Sequence, residues 1–219
     1  MAFRISSNNG TLAASRYIGL SQQKVEHSIK ALASGSRIVD ARDDAAGFAI
    51  AENRRGHVNG LKQAKHTAEN AIGFIQVAEG GLSEQNNILI RMRELGVQAS
   101  SDTISDTERE FLQQEFEQLA SELDRIAKTT RYGSKQLLMG GSEPLEFHLG
   151  SNGDDDNIIH YTLDADTTAS NLGVSGLDVS DKSDARDSLD DLDTAIEDLA
   201  RVRANFGAIQ SRLQIASNH

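Results

Sequence analysis

The chain of 219 residues has no cysteine, no tryptophan and a single proline. Without cysteine there is no disulfide scaffold, no thiolate metal site and no cysteine nucleophile. One proline, with only seven phenylalanines and three tyrosines, is too little turn punctuation and aromatic content for a β-sandwich, and favours long unbroken helices. No stretch approaches the ~18 apolar residues of a membrane span. Met1-Ala2-Phe3-Arg4-Ile5-Ser6-Ser7 has no apolar core of signal-peptide length. The sequence therefore predicts neither a membrane protein nor a conventionally secreted one, and leaves export by a dedicated machine open. Positive charge is also scarce. Against 33 Asp and Glu stand 22 Lys and Arg, a net charge of −11 without a basic patch, which argues against nucleic-acid and anionic-membrane partners. Hydrophobic residues make up 38% of the chain, enough to bury a core in one or two domains.

What is present is helical periodicity. Between Thr11 and Ala33, Ile18, Val25, Ile29 and Leu32 recur at spacings of seven, four and three, a narrow stripe suited to a partner helix and expected to fray alone. Ser34-Gly35-Ser36 interrupts it, and Asp43 or Asp44 can cap the next helix. That helix is predicted over 44–98. Leu61, Ala68, Ile75, Leu82 and Leu89 repeat every seven residues, with Ala64, Ala71, Ala78, Gln85 and Met92 three further on. At ~1.5 Å per residue the helix would be about 80 Å long, which predicts a rod. Ser105-Asp106-Thr107-Glu108 reads as a capping box. The helix behind it carries Leu112, Phe116, Leu119, Leu123 and Ile126 and is expected to fold back antiparallel on its predecessor. A last helix from about Ser183 has Leu189, Leu192, Ile196, Leu199, Phe206 and Leu213 on its seam.

Between the third and last helices, Leu145-Glu146-Phe147-His148-Leu149 alternates and pairs with 158–163 as a hairpin, with 150–157 as its turn. Residues 164–181, rich in Thr, Ser, Asp and Gly, read as a loop covering the helices. The expected fold class is mainly α, an elongated antiparallel helical bundle or coiled coil with a small β-hairpin.

Signals for chemistry are weak. Histidines stand at 27, 57, 66, 148, 160 and 219 without HExxH or other close ligand spacing, which argues against a zinc hydrolase. His148 and His160 could face each other across the hairpin as a polar pair. Asp154-Asp155-Asp156 lacks EF-hand spacing and fits a solvated tip. Asp190-Asp191-Leu192-Asp193 fits the wet side of a helix. Gly80-Gly81 and Gly140-Gly141 are not phosphate loops, no GxSxG occurs, and Asn9-Gly10-Thr11 is only a formal glycosylation sequon. No catalytic, cofactor or metal residue is assigned, and no enzyme activity is expected.

Five stretches together resemble bacterial flagellin. They are Ala33-Ser34-Gly35-Ser36-Arg37-Ile38; Asp43-Asp44-Ala45-Ala46-Gly47; Arg91-Met92-Arg93-Glu94-Leu95-Gly96-Val97-Gln98; Arg131-Tyr132-Gly133 with Gln136-Leu137-Leu138; and Arg203-Ala204-Asn205-Phe206-Gly207-Ala208-Ile209-Gln210-Ser211-Arg212-Leu213. They span nearly the whole chain in family order. The resemblance implies a self-assembling subunit of the extracellular flagellar filament, working in motility and exported through a type III channel without a cleaved signal. It also implies other copies of the chain, an export chaperone and a cap protein as partners, and a short form lacking the variable outer domains. On this reading residues 1–43 are the inner-tube polymerisation helix and connector, with Ile18, Val25, Ile29 and Leu32 as the subunit-packing seam. Residues 44–219 are the rod domain, with Leu61, Ala68, Ile75, Leu82, Leu89, Leu112, Phe116, Leu119, Leu192, Leu199 and Phe206 as its core.

In the family a further helix follows the motif around Asn205, whereas this sequence stops at His219. If His219 is the true end, residues 1 to about 43 are expected to be disordered and filaments not to form; the alternative is that the helix lies beyond the sequence given. The resemblance also implies recognition by a Toll-like innate immune receptor at Arg91, Leu95 and Glu115. Solvated surface charges and a Leu95 packed at a subunit contact explain the same residues, and Ile90 replaces a polar residue often found there. A hook-filament junction protein is the nearest rival, and a secreted hydrolase a distant one.

Overall fold

The computed structural model describes residues 9–141 and 144–218, so the sequence readings at Met1–Ser7 and His219 lie outside the described residues. The elements in chain order are α1 (Asn9–Ser34), α2 (Ala45–Ala99), α3 (Asp106–Thr129), β1 (Arg131–Tyr132), β2 (Lys135–Gln136), β3 (Pro144–His148), a 3-10 turn (Asp155–Asn157), β4 (Ile158–Thr162) and α4 (Lys182–Asn218). The fold is mainly α with small antiparallel two-stranded sheets. Among the described residues no helix is long and apolar enough to cross a membrane. The chain divides into two compact units, residues 1–59 and 60–219. The sequence reading placed its own boundary after residue 43, within the first of these units.

Helix boundaries follow their caps. Asp44 accepts the Gly47 N–H at 2.9 Å and starts α2. The capping box of α3 is complete: the Ser105 hydroxyl accepts from the Glu108 N–H at 3.4 Å, and Glu108 accepts from the Ser105 N–H at 2.8 Å. At the end of α2, Arg109 lies buried and donates to the carbonyls of Ala99 at 2.8 Å and Ser101 at 3.0 Å, while pairing with Asp106 at 2.7 Å. Carbonyls left over at a helix C-terminus thereby receive a cation. The α2–α3 corner is fixed by this arginine and by the Lys182–Asp102 ion pair.

In the second unit, α2 meets α3 through Arg91–Glu115 and Gln85–Leu123, and α4 through Arg93–Asp193 and Glu79–Arg203. In each pair one number rises as the other falls, so α3 and α4 both run antiparallel to α2. The enclosed core holds Ile75, Leu82, Leu89, Met92, Phe116, Leu123, Leu192, Leu199 and Phe206, all fully buried. Ala71 and Ala78 are buried among them and allow close helix approach; Ala64 and Ala68 are buried further toward the start of the helix. Gly81 does not break α2. A Cβ there would come within 2.6 Å of the Thr130 hydroxyl and 2.9 Å of Leu138, so the missing side chain lets the segment after α3 close onto the helix.

The hairpin pairs Leu145 with Tyr161 and Phe147 with Ile159. Tyr161 packs on Phe206 with ring centroids 5.7 Å apart, and Phe147 meets Phe74 edge-on at 6.3 Å. The register corrects one expectation: His160 faces Glu146, 3.5 Å away, and His148 faces Ile158. The loop 164–181 carries part of the core, since Thr167, Ala169, Leu172, Val174 and Val179 are buried. The Asp124 carboxylate accepts the Ala169 N–H at 2.8 Å, and the Gln113 side chain accepts the Val179 N–H at 2.8 Å.

The first unit is built differently. Gly35, at φ 65°, ends α1 in the left-handed conformation. In the connector behind it, the Asp43 carboxylate accepts from the His27 ring at 2.7 Å and from the N–H groups of Val39 at 3.3 Å and Asp40 at 3.2 Å. These polar contacts hold the connector to α1, and none of the described residues of this unit is fully buried.

Candidate self-assembly surface

The seam predicted from spacing is on the outside of α1. Ile18, Val25, Ile29 and Leu32 are between 55% and 86% exposed. The spacing of seven, four and three keeps them on one face, and Ser21, Lys24 and Ser28 share a shallow cleft with Val25, Ile29 and Leu32. Leu12, Tyr17 and Leu20 are exposed as well, and at 3.6 residues per turn they lie on other sides of the helix. The first half of α1 thus presents apolar side chains nearly all round, the second half a single stripe. A helix apolar on several sides is normally enclosed. Burying such side chains is worth ~1.5–3 kcal/mol each, whereas an unpartnered helix is marginal.

The rod-core positions behave otherwise. Ala68, Ile75, Leu82, Leu89, Phe116, Leu192, Leu199 and Phe206 are buried, and Leu112 and Leu119 are half-buried against them. Leu61 is a correction, at 54% exposed. The pairings Arg93–Asp193 and Glu79–Arg203 bring the last described turns of α4 level with the turns just after Leu61, so among the described residues no α4 side chain covers it.

The three residues matched to a receptor contact separate in the structure. Arg91 donates to Glu115 at 2.9 and 2.8 Å and to Glu94 at 3.1 Å, all at the surface. The carboxylate of Glu115, then that of Glu94, pushes the guanidinium pKa up. Leu95 is a correction: it is fully buried in the core cluster and is not presented to a partner.

Among the described residues no group of three or more His, Cys, Asp or Glu side chains is disposed to hold a metal. Burial, followed by the nearby Asp164 charge, pushes the Tyr161 phenol up to about 12, which leaves it protonated against Phe206. Sequence reasoning missed several polar residues that act structurally. Gln85 is fully buried, and its amide donates to the carbonyls of Leu123 and Thr167, each at 3.1 Å, tying α2, α3 and the covering loop together. Its heptad position was legible; its partners, 38 and 82 residues away, were not.

The first unit thus has an uncovered apolar stripe on α1 and the second an enclosed helical core, the features of a structural helical protein. The comparisons say which. The family described as bacterial flagellin N-terminal helical region matches residues 5–143. The chain is 34% identical to a flagellin of Halalkalibacterium halodurans, over 96% of this chain and 77% of that protein. It is 33% identical to the flagellar filament 30.7 kDa core protein of Treponema maltophilum, over 97% of this chain and 79% of that protein. The crystal structure of Bacillus cereus flagellin superposes with a TM-score of 0.62 at 28% identity, covering 70% of this chain and 88% of that one. The chain belongs to the bacterial flagellin family.

Proposed function

We infer that this chain is a structural subunit of the bacterial flagellar filament, polymerising with copies of itself outside the cell in the service of motility. Family membership supports this directly, as do relatives called flagellin and flagellar filament core protein that match over most of their length. It is not an enzyme, in keeping with its family. The rival readings as a hook-filament junction protein or a hydrolase have no comparable support.

The finer reading assigns the work to elements. Residues 1–43 form the polymerisation helix and connector, and residues 44–219 form the rod domain. Ile18, Val25, Ile29 and Leu32 are the subunit-packing seam, because they are apolar, aligned and uncovered within the first unit. The rod supplies a rigid body with its own core. The subunit reaches the filament tip through a dedicated export channel, handled by an export chaperone and placed by a cap protein. Arg91 and Glu115 would be the surface residues of a Toll-like receptor contact. Arg91→Ala leaving receptor signalling unchanged would remove that assignment.

The observation that carries the assembly reading is the uncovered stripe of α1. Replacing Ile29 and Leu32 by Asp in the native protein is expected to abolish seeded polymerisation seen by electron microscopy, while the melting temperature of the monomer stays put. Filaments of ordinary length from the double variant would overturn it.

A further inference from the structure

The sequence contains three Asn-Gly pairs; Asn9-Gly10 opens α1, and the other two lie in opposite surroundings. Asn59-Gly60 lies within α2, where the Gly60 N–H is committed to the helix. Asn152-Gly153 lies in the exposed tip between β3 and β4. The neck of that tip is closed, because Leu149 donates to the Asn157 carbonyl at 2.8 Å and the Asn157 side chain occupies the place a side chain on Gly150 would need. Beyond the neck the backbone is open. Among the described residues the Gly153 N–H has no hydrogen-bond partner, and a Cβ on Gly153 would meet nothing within 4 Å. The Ser151 hydroxyl donates to the Asn152 side-chain oxygen at 3.3 Å.

These are the requirements for an intramolecular acyl transfer. We propose that Asn152 is a site of spontaneous deamidation. The Gly153 backbone nitrogen, losing its proton to solvent, attacks the Asn152 side-chain carbonyl carbon. The Ser151 hydroxyl sits where it stabilises the oxygen as negative charge develops there. A carbon–nitrogen bond forms to close a succinimide ring, and the Nδ2 amide nitrogen leaves as ammonia after taking up a proton. Water then opens the ring at either carbonyl, giving aspartate or isoaspartate, with no oxidant or reductant involved. Asn59 has the same neighbour but reacts only when α2 opens locally, so its rate is reduced by that opening equilibrium.

The modification has a structural consequence. A Cβ placed on Gly60 would lie 3.3 Å from the Ser151 Cβ and 3.4 Å from its Cα, so the tip rests directly on the α2 backbone. The isoaspartyl product inserts a backbone methylene beside Ser151, and either product adds a carboxylate next to Asp154, Asp155 and Asp156. Conversion loosens the tip from the helix.

The native protein, incubated at body temperature in mildly alkaline buffer, would be followed by peptide mapping and isoaspartate-specific enzymatic methylation. Asn152 is expected to convert at least ~10-fold faster than Asn59, the ratio that ~1.4 kcal/mol of local helix stability provides. Gly153 has no positive φ, so Gly153→Ala keeps the fold while crowding the nucleophile, and should slow conversion severalfold. Converted protein should show faster amide exchange around Gly60 than unconverted protein. Equal rates at the two asparagines, or no effect of Gly153→Ala, would overturn the site. Unchanged exchange at Gly60 after full conversion would overturn the loosening.

Discussion

The two units carry the same seven-residue rhythm to opposite ends. In the second, Ala68, Ile75, Leu82 and Leu89 lie against partners from α3, α4 and the covering loop and are sealed from solvent. In the first, Ile18, Val25, Ile29 and Leu32 recur on a comparable spacing and remain uncovered. Heptad spacing records that a face is to be covered, not who covers it. The difference lies in what else the chain provides. Leu192, Leu199, Phe206, Phe116 and Leu123 return to the second unit from far along the sequence, whereas among the described residues of the first α1 is met by a polar connector tied by Asp43.

Substitutions can test this contrast. The largest effect is expected at Phe206, which is fully buried and packs on Tyr161. Phe206→Ala should cost ~3–5 kcal/mol in denaturant unfolding, as for large-to-small changes in a core that relaxes only partly. Ile29→Ala should change monomer stability by less than ~0.5 kcal/mol, the usual range for exposed positions, and act only on polymerisation. Comparable destabilisation by both substitutions would mean that the α1 stripe is buried within the monomer after all.

Next comes Arg109. Arg109→Ala removes the donor to the Ala99 and Ser101 carbonyls at the α2–α3 corner. A loss of ~2 kcal/mol is expected, since hydrogen bonds from charged groups are worth ~1.5–3 kcal/mol. Its contribution belongs to the second unit alone, so thermal unfolding should shift without any change in amide exchange in the connector at Val39 and Asp40.

Gln85 sharpens the comparison further, because it is the polar member of the buried seam. Its amide nitrogen is satisfied twice, whereas its Oε1 has no partner among the described residues. Gln85→Leu removes the orphaned oxygen at nearly the same volume, and should fall within ~1 kcal/mol of the parent. Gln85→Ala adds a cavity and should cost ~2 kcal/mol or more. If Leu were the worse substitution, the bonds to Leu123 and Thr167 would outweigh packing at this position.

Much of the fold was legible because local signals agreed with one another. The capping box at Ser105 and the Asp at position 44 set helix starts to within a residue or two, and alternation in 145–149 set the hairpin. Legibility failed where the outcome depended on distant groups. Hydrophobicity and spacing place Leu61 and Ile75 alike, yet only Ile75 has α4 alongside. The two-residue strands β1 and β2 turn about Gly133, at φ 60°, and are too short to leave a period. Loop 164–181 read as a cover because its composition is polar, but five of its residues are core. Leu95 was assigned to a surface by resemblance, although it lies one heptad from the half-buried Ile88 and three residues from the buried Met92 of the same helix. For the candidate site, the stripe was read directly from spacing; the His27–Asp43 tie behind it was not, because nothing in sequence links positions 16 residues apart.

That tie sets the smallest predicted effect, a difference in acid response between the units. The Asp43 carboxyl is held below the ordinary aspartate value, first by the hydrogen bond from His27 and then by the Asp40 N–H, with burial opposing. A carboxyl whose pKa is lower folded than unfolded contributes stability above its unfolded value of about 4, and that contribution is lost as pH falls through the folded value. In the second unit Asp193 is lowered in the same way by Arg93, but there the surrounding core remains when the pair breaks. Acidification below the usual aspartate range should therefore release the Val39 and Asp40 amides first, read as a rise in their hydrogen exchange, while the amides around Asp193 keep their protection. Asp43→Asn retains an acceptor oxygen without a titratable charge and should flatten the response in the connector. If Val39 and Asp40 lost protection at the same pH in the variant, the connector would be held by something other than the Asp43 carboxylate.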